Sequence, residues 1–150
     1  MGHFVSIRGW LELNDGMVPL VREIINDIAK TTALSKTPID VAEFYNRGWV
    51  FPSDKINWTS YVFYGANIRL YHLEYLKTQL KLIAERVKRK DDIFIELFKD
   101  SVSDEKNLLD YPTGLFYVDD EDREISLRWE ISKGEFIEFM RQSPEIDSKG

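Results

Sequence analysis

The sequence predicts an α+β fold: one domain over residues 1–150, an antiparallel or mixed sheet with two main helices packed on one of its faces. Three observations carry this. Residues 4–13 alternate apolar and polar side chains at a period of two, as a half-buried strand does. Two later stretches, within 17–28 and 73–87, repeat apolar residues at helical spacing. The last third returns to short strand-like runs separated by turn residues, which reads as a meander.

The opening strand places Val5, Ile7, Leu11 and Leu13 on one face and Phe4, Ser6, Arg8, Trp10 and Glu12 on the other. Gly9 within it marks a bulge or a close approach of another backbone. Asn14-Asp15-Gly16 is a turn, with Asn14 or Asp15 available to cap the helix that follows. That helix carries the stripe Met17, Leu20, Val21, Ile24, Ile25 and Ile28. Pro19 fits only in a first turn, so the helix starts near Val18 and ends near Thr31-Thr32.

Residues 35–57 are less patterned. Ser35-Lys36-Thr37-Pro38 is a break, Asp40 to Tyr45 suits a short helical turn, and Arg47 to Phe51 suits a strand. Trp58 to Tyr64 is rich in aromatic and β-branched residues and reads as a strand, broken by Gly65-Ala66-Asn67. The second helix is expected from Tyr71 to Arg89, burying Leu73, Leu76, Leu80, Ile83, Ala84 and Val87. Its cations gather in the C-terminal half, where they complement the helix dipole. Residues 91–98 fit a strand or a short helix, and Ser101 to Asn107 a polar loop. Residues 114–118 and 124–131 read as the arms of a hairpin. Lys133-Gly134 turns again, Phe136 to Met140 is a last short strand or helix, and 144–150 is a flexible tail.

Composition narrows the function classes. The chain has 43% hydrophobic residues and no cysteine, so it can build a core but has no disulfide, thiolate nucleophile or cysteine-ligated zinc. No apolar run approaches the ~20 residues of a membrane span, and no secretory signal pattern is present. A cytoplasmic protein is expected. Its pI near 5.0 argues against nucleic acid as the partner.

The charge is unevenly placed. Residues 1–109 carry 15 acidic and 15 basic side chains, whereas residues 110–150 carry 11 and 5, so the net charge of −6 lies in the last 41 residues. Much of it is the run Asp119-Asp120-Glu121-Asp122-Arg123-Glu124 across the expected hairpin. Such a run either keeps a hairpin tip solvated or steers a basic partner to it. The basic run Arg86-Val87-Lys88-Arg89-Lys90 ends a helix and lacks interleaved aromatics, which favours dipole pairing over nucleic-acid binding.

The catalytic inventory is thin. His3 and His72 have no partner at metal-ligand spacing; there is no Gly-x-Ser-x-Gly elbow and no glycine-rich phosphate loop. No enzyme activity, cofactor or metal is expected. Trp49, Phe51, Trp58, Tyr61, Phe63 and Tyr64 crowd one stretch, and alternation puts Thr59, Tyr61 and Phe63 opposite Trp58, Ser60, Val62 and Tyr64. With helices on one face only, one of these sets either meets a covering loop or stays exposed as binding anchors.

Phe4 to Leu13, Asn57 to Arg69 with its leucine-rich helix, and Gly114 to Val118 with Arg128 to Ile131 resemble immunity proteins of contact-dependent growth inhibition and related polymorphic-toxin systems. The resemblance covers half the chain, and its motifs are structural. It implies a protein that binds a cognate toxin C-terminal domain, a basic nuclease first of all, and neutralises it by occlusion. The toxin-binding candidates are Asp119, Asp120, Glu121, Asp122, Glu124, Trp58 and Tyr61. A small-ligand-binding or regulatory domain with an aromatic-lined pocket is the competing expectation.

Overall fold

A computed structural model describes residues 3–14, 16–30, 37–53, 59–88, 111–122 and 124–140. The elements run β1 (Phe4–Leu13), α1 (Met17–Lys30), α2 (Ile39–Asn46), β2 (Trp49–Val50), β3 (Ser60–Arg69), a 3-10 turn (Leu70–His72), α3 (Leu73–Arg86), β4 (Thr113–Asp120), β5 (Ser126–Ser132) and β6 (Glu135–Met140). All six strands form one sheet in the order β2-β3-β1-β4-β5-β6, and every adjacent pair is antiparallel. The α+β architecture follows from that sheet and its helices.

The period-two pattern decides which face is covered. Val5, Ile7, Leu11 and Leu13 of β1, Val62, Tyr64 and Ile68 of β3, Phe116 and Val118 of β4, and Trp129 and Ile131 of β5 are all buried. The register puts them on the same side of the sheet. Against them pack Met17, Val21, Ile25 and Ile28 of α1, Ala42 and Tyr45 of α2, and Tyr75, Leu76, Leu80, Ile83 and Ala84 of α3. Ile28, Leu76, Leu80 and Ile83 are buried as their spacing predicts, while Leu20, Ile24 and Leu73 lie at the margin and are only partly covered. Pro19 sits in the first turn of α1.

Gly9 is a close approach rather than a bulge: β1 pairs with β4 through it without a break, and a Cβ there would collide with the Leu115 carbonyl oxygen and the Phe116 ring. Lys133 (φ 53°) and Gly134 (φ 80°) make the two-residue turn that joins β5 to β6. Two consecutive positive φ values match the twist of a tight hairpin.

Two expectations change. Gly65-Ala66-Asn67 does not end its strand; β3 continues to Arg69 because β1 pairs with every residue from Ser60 on, and Gly65 N–H also donates to the Gly48 carbonyl at 3.1 Å. The second helix, expected over Tyr71 to Arg89, starts at Leu73, the first residue of its stripe, after a 3-10 turn, and ends at Arg86, where Val87 turns extended (φ −87°, ψ 124°). The short helical turn expected at 40–45 is α2, a third helix beside the two main ones, and of the two alternatives for residues 136–140 the strand is the one formed. Residues 91–98, 101–107 and 144–150 and the side chain of Trp58 lie outside the described residues.

Candidate functional site

The second face of the sheet, away from the helices, is open among the described residues. Its side chains fall in rows because the register aligns them across strands. One row crosses all six: Val50, Phe63, Trp10, Leu115, Glu130 and Ile137. At ~4.8 Å between strands it spans roughly 24 Å. Five of its six members are apolar. The neighbouring row is Gly65, Arg8, Tyr117, Arg128 and Phe139. Here cations alternate with rings: the Arg8 guanidinium lies 6.0 Å from the Tyr117 centroid, and that of Arg128 lies 4.6 Å from Phe139. On the far side of the apolar row, Tyr61 stands opposite Glu12 and donates its hydroxyl proton to that carboxylate at 3.1 Å. This hydrogen bond, then the Glu12 charge, then partial burial push the Tyr61 pKa upward. Its ring meets Trp10 at 6.1 Å between centroids.

Phe4, Val50, Tyr61, Phe63, Ile137 and Phe139 are each between 38% and 55% exposed. Scattered exposed apolar residues are ordinary, but aligned rows of them, one apolar and the next alternating arginines with rings, have the composition of a protein-binding surface. The charges on the face are largely matched. Arg8 Nη2 pairs with Asp119 Oδ2 at 3.0 Å, and Arg128 Nε lies 3.1 Å from Glu130 Oε2, though without hydrogen-bonding geometry.

The acidic run divides. Asp119 accepts from Arg8 and from Ser126 Oγ at 3.0 Å. The Asp120 side chain is fully buried; its carboxylate lies 3.0 Å from His3 Nε2 and accepts the Ile125 N–H at 3.1 Å. Burial alone would raise the Asp120 pKa. The Ile125 N–H, the His3 ring and the Glu124 N–H outweigh it, and the pKa is held below the ordinary carboxylate value. These two aspartates close the β4–β5 hairpin. Glu121, Asp122 and Glu124 are exposed at its tip. Tyr61 sits at the other end of the open face: six residue steps along β1 lead from Ser6, opposite Asp119, to Glu12, opposite Tyr61, a distance of ~20 Å. The structure therefore does not bring these sequence candidates together at one point.

Trp10, Leu115, Tyr117, Ile137 and Phe139 were not among the sequence candidates. Strand alternation already places Trp10 on the face opposite the core; the rows themselves need the register, which one strand's sequence does not contain.

A second feature is a cleft of about 510 Å³ lined by Phe4, Asp40, Val41, Phe44, Tyr45, Asn67, Arg69 and His72. His72 Nδ1 is hydrogen-bonded to Thr37 Oγ1 at 3.1 Å, and its ring packs on Tyr45 and Tyr71. Burial, then the nearby Arg69 charge, lower its pKa. Among the described residues no group of three or more His, Asp or Glu side chains could hold a metal ion, and no helix is long and apolar enough to cross a membrane. No family model, curated protein or solved structure matches the chain.

Proposed function

We propose that this chain is an immunity protein of a polymorphic-toxin system, which binds a cognate basic toxin domain of the nuclease class in the cytoplasm and neutralises it by stoichiometric occlusion. The observation that carries the reading is the open sheet face with its cross-sheet row Val50, Phe63, Trp10, Leu115 and Ile137. Aromatic and arginine side chains on a rigid sheet are typical interface anchors, because they bring large contact area at low conformational cost. The net charge of −6 and the exposed Glu121, Asp122 and Glu124 favour capture of a basic partner by steering. The resemblance of the β1, β3 and β4–β5 sequences supplies the toxin as that partner.

The test is protection of cells expressing the toxin domain encoded beside this gene, with binding measured on the purified pair. Wild type should protect and bind one to one; Trp10→Ala with Phe63→Ala should do neither while staying folded. Full protection by that variant would sink the reading. The cleft beside Arg69 and His72 favours a second reading, a small-ligand-binding domain. Under it, ligand addition shifts amide resonances around Tyr45 and His72 and leaves the open face unchanged.

A further inference from the structure

The two edges of the sheet are finished differently. At the β3 edge, β2 covers Phe63 and Tyr64, Gly65 N–H reaches the Gly48 carbonyl, and Arg69 N–H reaches the Tyr45 hydroxyl at 3.4 Å. That edge is closed by a two-residue strand and by α2, a usual way of protecting a sheet margin. At the other margin, among the described residues, β6 pairs only with β5 and no residue bonds to its outer side. β6 reads Glu-Phe-Ile-Glu-Phe-Met, with no proline, no lysine and no bulge. Met140 is 83% exposed, and Ile137 and Phe139 are exposed beside it.

The turn fixes which backbone groups face outward. A two-residue hairpin makes the residues flanking it, Ser132 and Glu135, a hydrogen-bonded pair, and pairs alternate from there. Glu135, Ile137 and Phe139 thus bond to β5, and Phe136, Glu138 and Met140 turn their N–H and C=O groups to the open margin.

We infer that β6 receives an extended strand from a partner protein, and that one face of this strand carries a basic residue followed, at every second position, by apolar residues. The charge of β6 selects such a partner. It carries two glutamates and no cation. Glu138 is already satisfied, by Lys77 Nζ at 3.3 Å and Trp129 Nε1 at 2.8 Å, whereas Glu135 has no ion-pair partner among the described residues. An incoming strand with Lys or Arg opposite Glu135 and apolar residues opposite Ile137 and Phe139 completes the charge and prolongs both rows of the open face by one strand. A second copy of this chain fits worse: pairing centred on Glu138 sets two glutamates against each other, and pairing centred on Ile137 sets Glu135 against Phe139. Main-chain bonds supply the affinity of such strand addition, and the alternate side chains its specificity.

The test is amide exchange on the ¹⁵N-labelled full chain, free and with the neighbouring toxin domain; this arm rests on the function proposed above. A second probe, the synthetic peptide Thr-Lys-Thr-Val-Thr-Val-Thr at millimolar concentration, with Lys and both Val on one face, does not. The N–H groups of Phe136, Glu138 and Met140 should exchange fast in the free protein and become protected in the complex. Met140→Pro removes an outward donor without touching the β5 ladder and should weaken binding about tenfold; Met140→Ala, which keeps the N–H, should stay within about twofold. Toxin binding that leaves the three amides unprotected, with Met140→Pro equal to wild type, overturns the inference and leaves the immunity reading standing. If the toxin does not bind, the immunity reading fails, and the peptide decides: protection of the same amides sustains strand addition, and none overturns it. Concentration-dependent protection of these amides in the free protein would assign the edge to a second copy and overturn the inference as well.

Discussion

Trp49 Nε1 donates to Gln79 Oε1 at 2.8 Å, and this bond ties the short edge strand β2 to the middle of α3. Gln79 is fully buried yet fully used: its amide nitrogen donates to Asn46 Oδ1 at 3.0 Å and to the Tyr75 hydroxyl at 3.3 Å. Tyr75 donates in turn to Asn46 Oδ1 at 2.8 Å, and Asn46 Nδ2 to the Ile25 carbonyl at 3.1 Å. A buried network of this kind is favourable only when every member is satisfied. Burial pushes the Tyr75 pKa up to about 12, so its hydroxyl stays protonated and able to donate at physiological pH.

Replacing Gln79 with Leu should therefore destabilise the protein by about 1–3 kcal/mol, since the Trp49 N–H loses its acceptor and Asn46 loses a donor. Urea unfolding measures the loss. A variant as stable as wild type would show that the network is dispensable.

Gly9→Ala should destabilise by about 1–3 kcal/mol or more, because the added methyl collides with the Leu115 carbonyl and the Phe116 ring where β1 meets β4. Gly65→Ala is the control: a Cβ there meets nothing within 4 Å. Thermal melts of the two variants should rank Gly9→Ala far below Gly65→Ala.

Asp120 has a lowered pKa in the folded state. Its contribution to stability is therefore present above the unfolded value near 3.8 and is lost as pH falls through the folded value. The stability gap between wild type and Asp120→Asn should be constant from pH 7 to about 5 and close below about 3.8. Unfolding free energies across that range give the answer; a gap that widens in acid would contradict the sign.

His72 also has a lowered pKa, so the unfolded chain takes up its proton first as pH falls below 6.5. Stability should drop from about pH 7 toward 5 for this reason. His72→Gln should lack that part of the drop. Denaturant midpoints of both proteins at several pH values make the comparison, and parallel curves would remove His72 as the cause.

The acidic hairpin should separate by residue. Neutralising the exposed Glu121, Asp122 and Glu124 should slow toxin association and flatten its salt dependence, with little change in stability, because steering is a screened, long-range effect. Changing Asp119 or Asp120 should instead lower stability, since each holds the hairpin through named hydrogen bonds. Stopped-flow association at two salt concentrations, beside melts, distinguishes the two groups. Rates unchanged by the triple neutralisation would reduce the tip to a solubility device.

The sequence by itself determined the layers. Period-two alternation in β1 and the stripes of α1 and α3 state which side of each element is buried, because burial depends on one element's own geometry. It also marked Gly9 as a bulge or a close approach, between which the pairing of β1 with β4 decided, and Lys133-Gly134 as a turn, since both rest on local backbone rules. What only the tertiary structure decided depends on which strands are neighbours. The continuation of β3 through Gly65-Ala66-Asn67 comes from its pairing with β1, which outweighs local breaking signals. The splitting of one acidic run into two hairpin-holding aspartates and three exposed carboxylates requires His3 and Arg8, more than 100 residues away in the chain, to meet Asp120 and Asp119. The apolar row from Val50 to Ile137 exists only in the register of six strands, and so does the place of β6 at the sheet margin among the described residues. No single segment carries that information, because a strand's sequence sets which residues face outward but not what stands beside them.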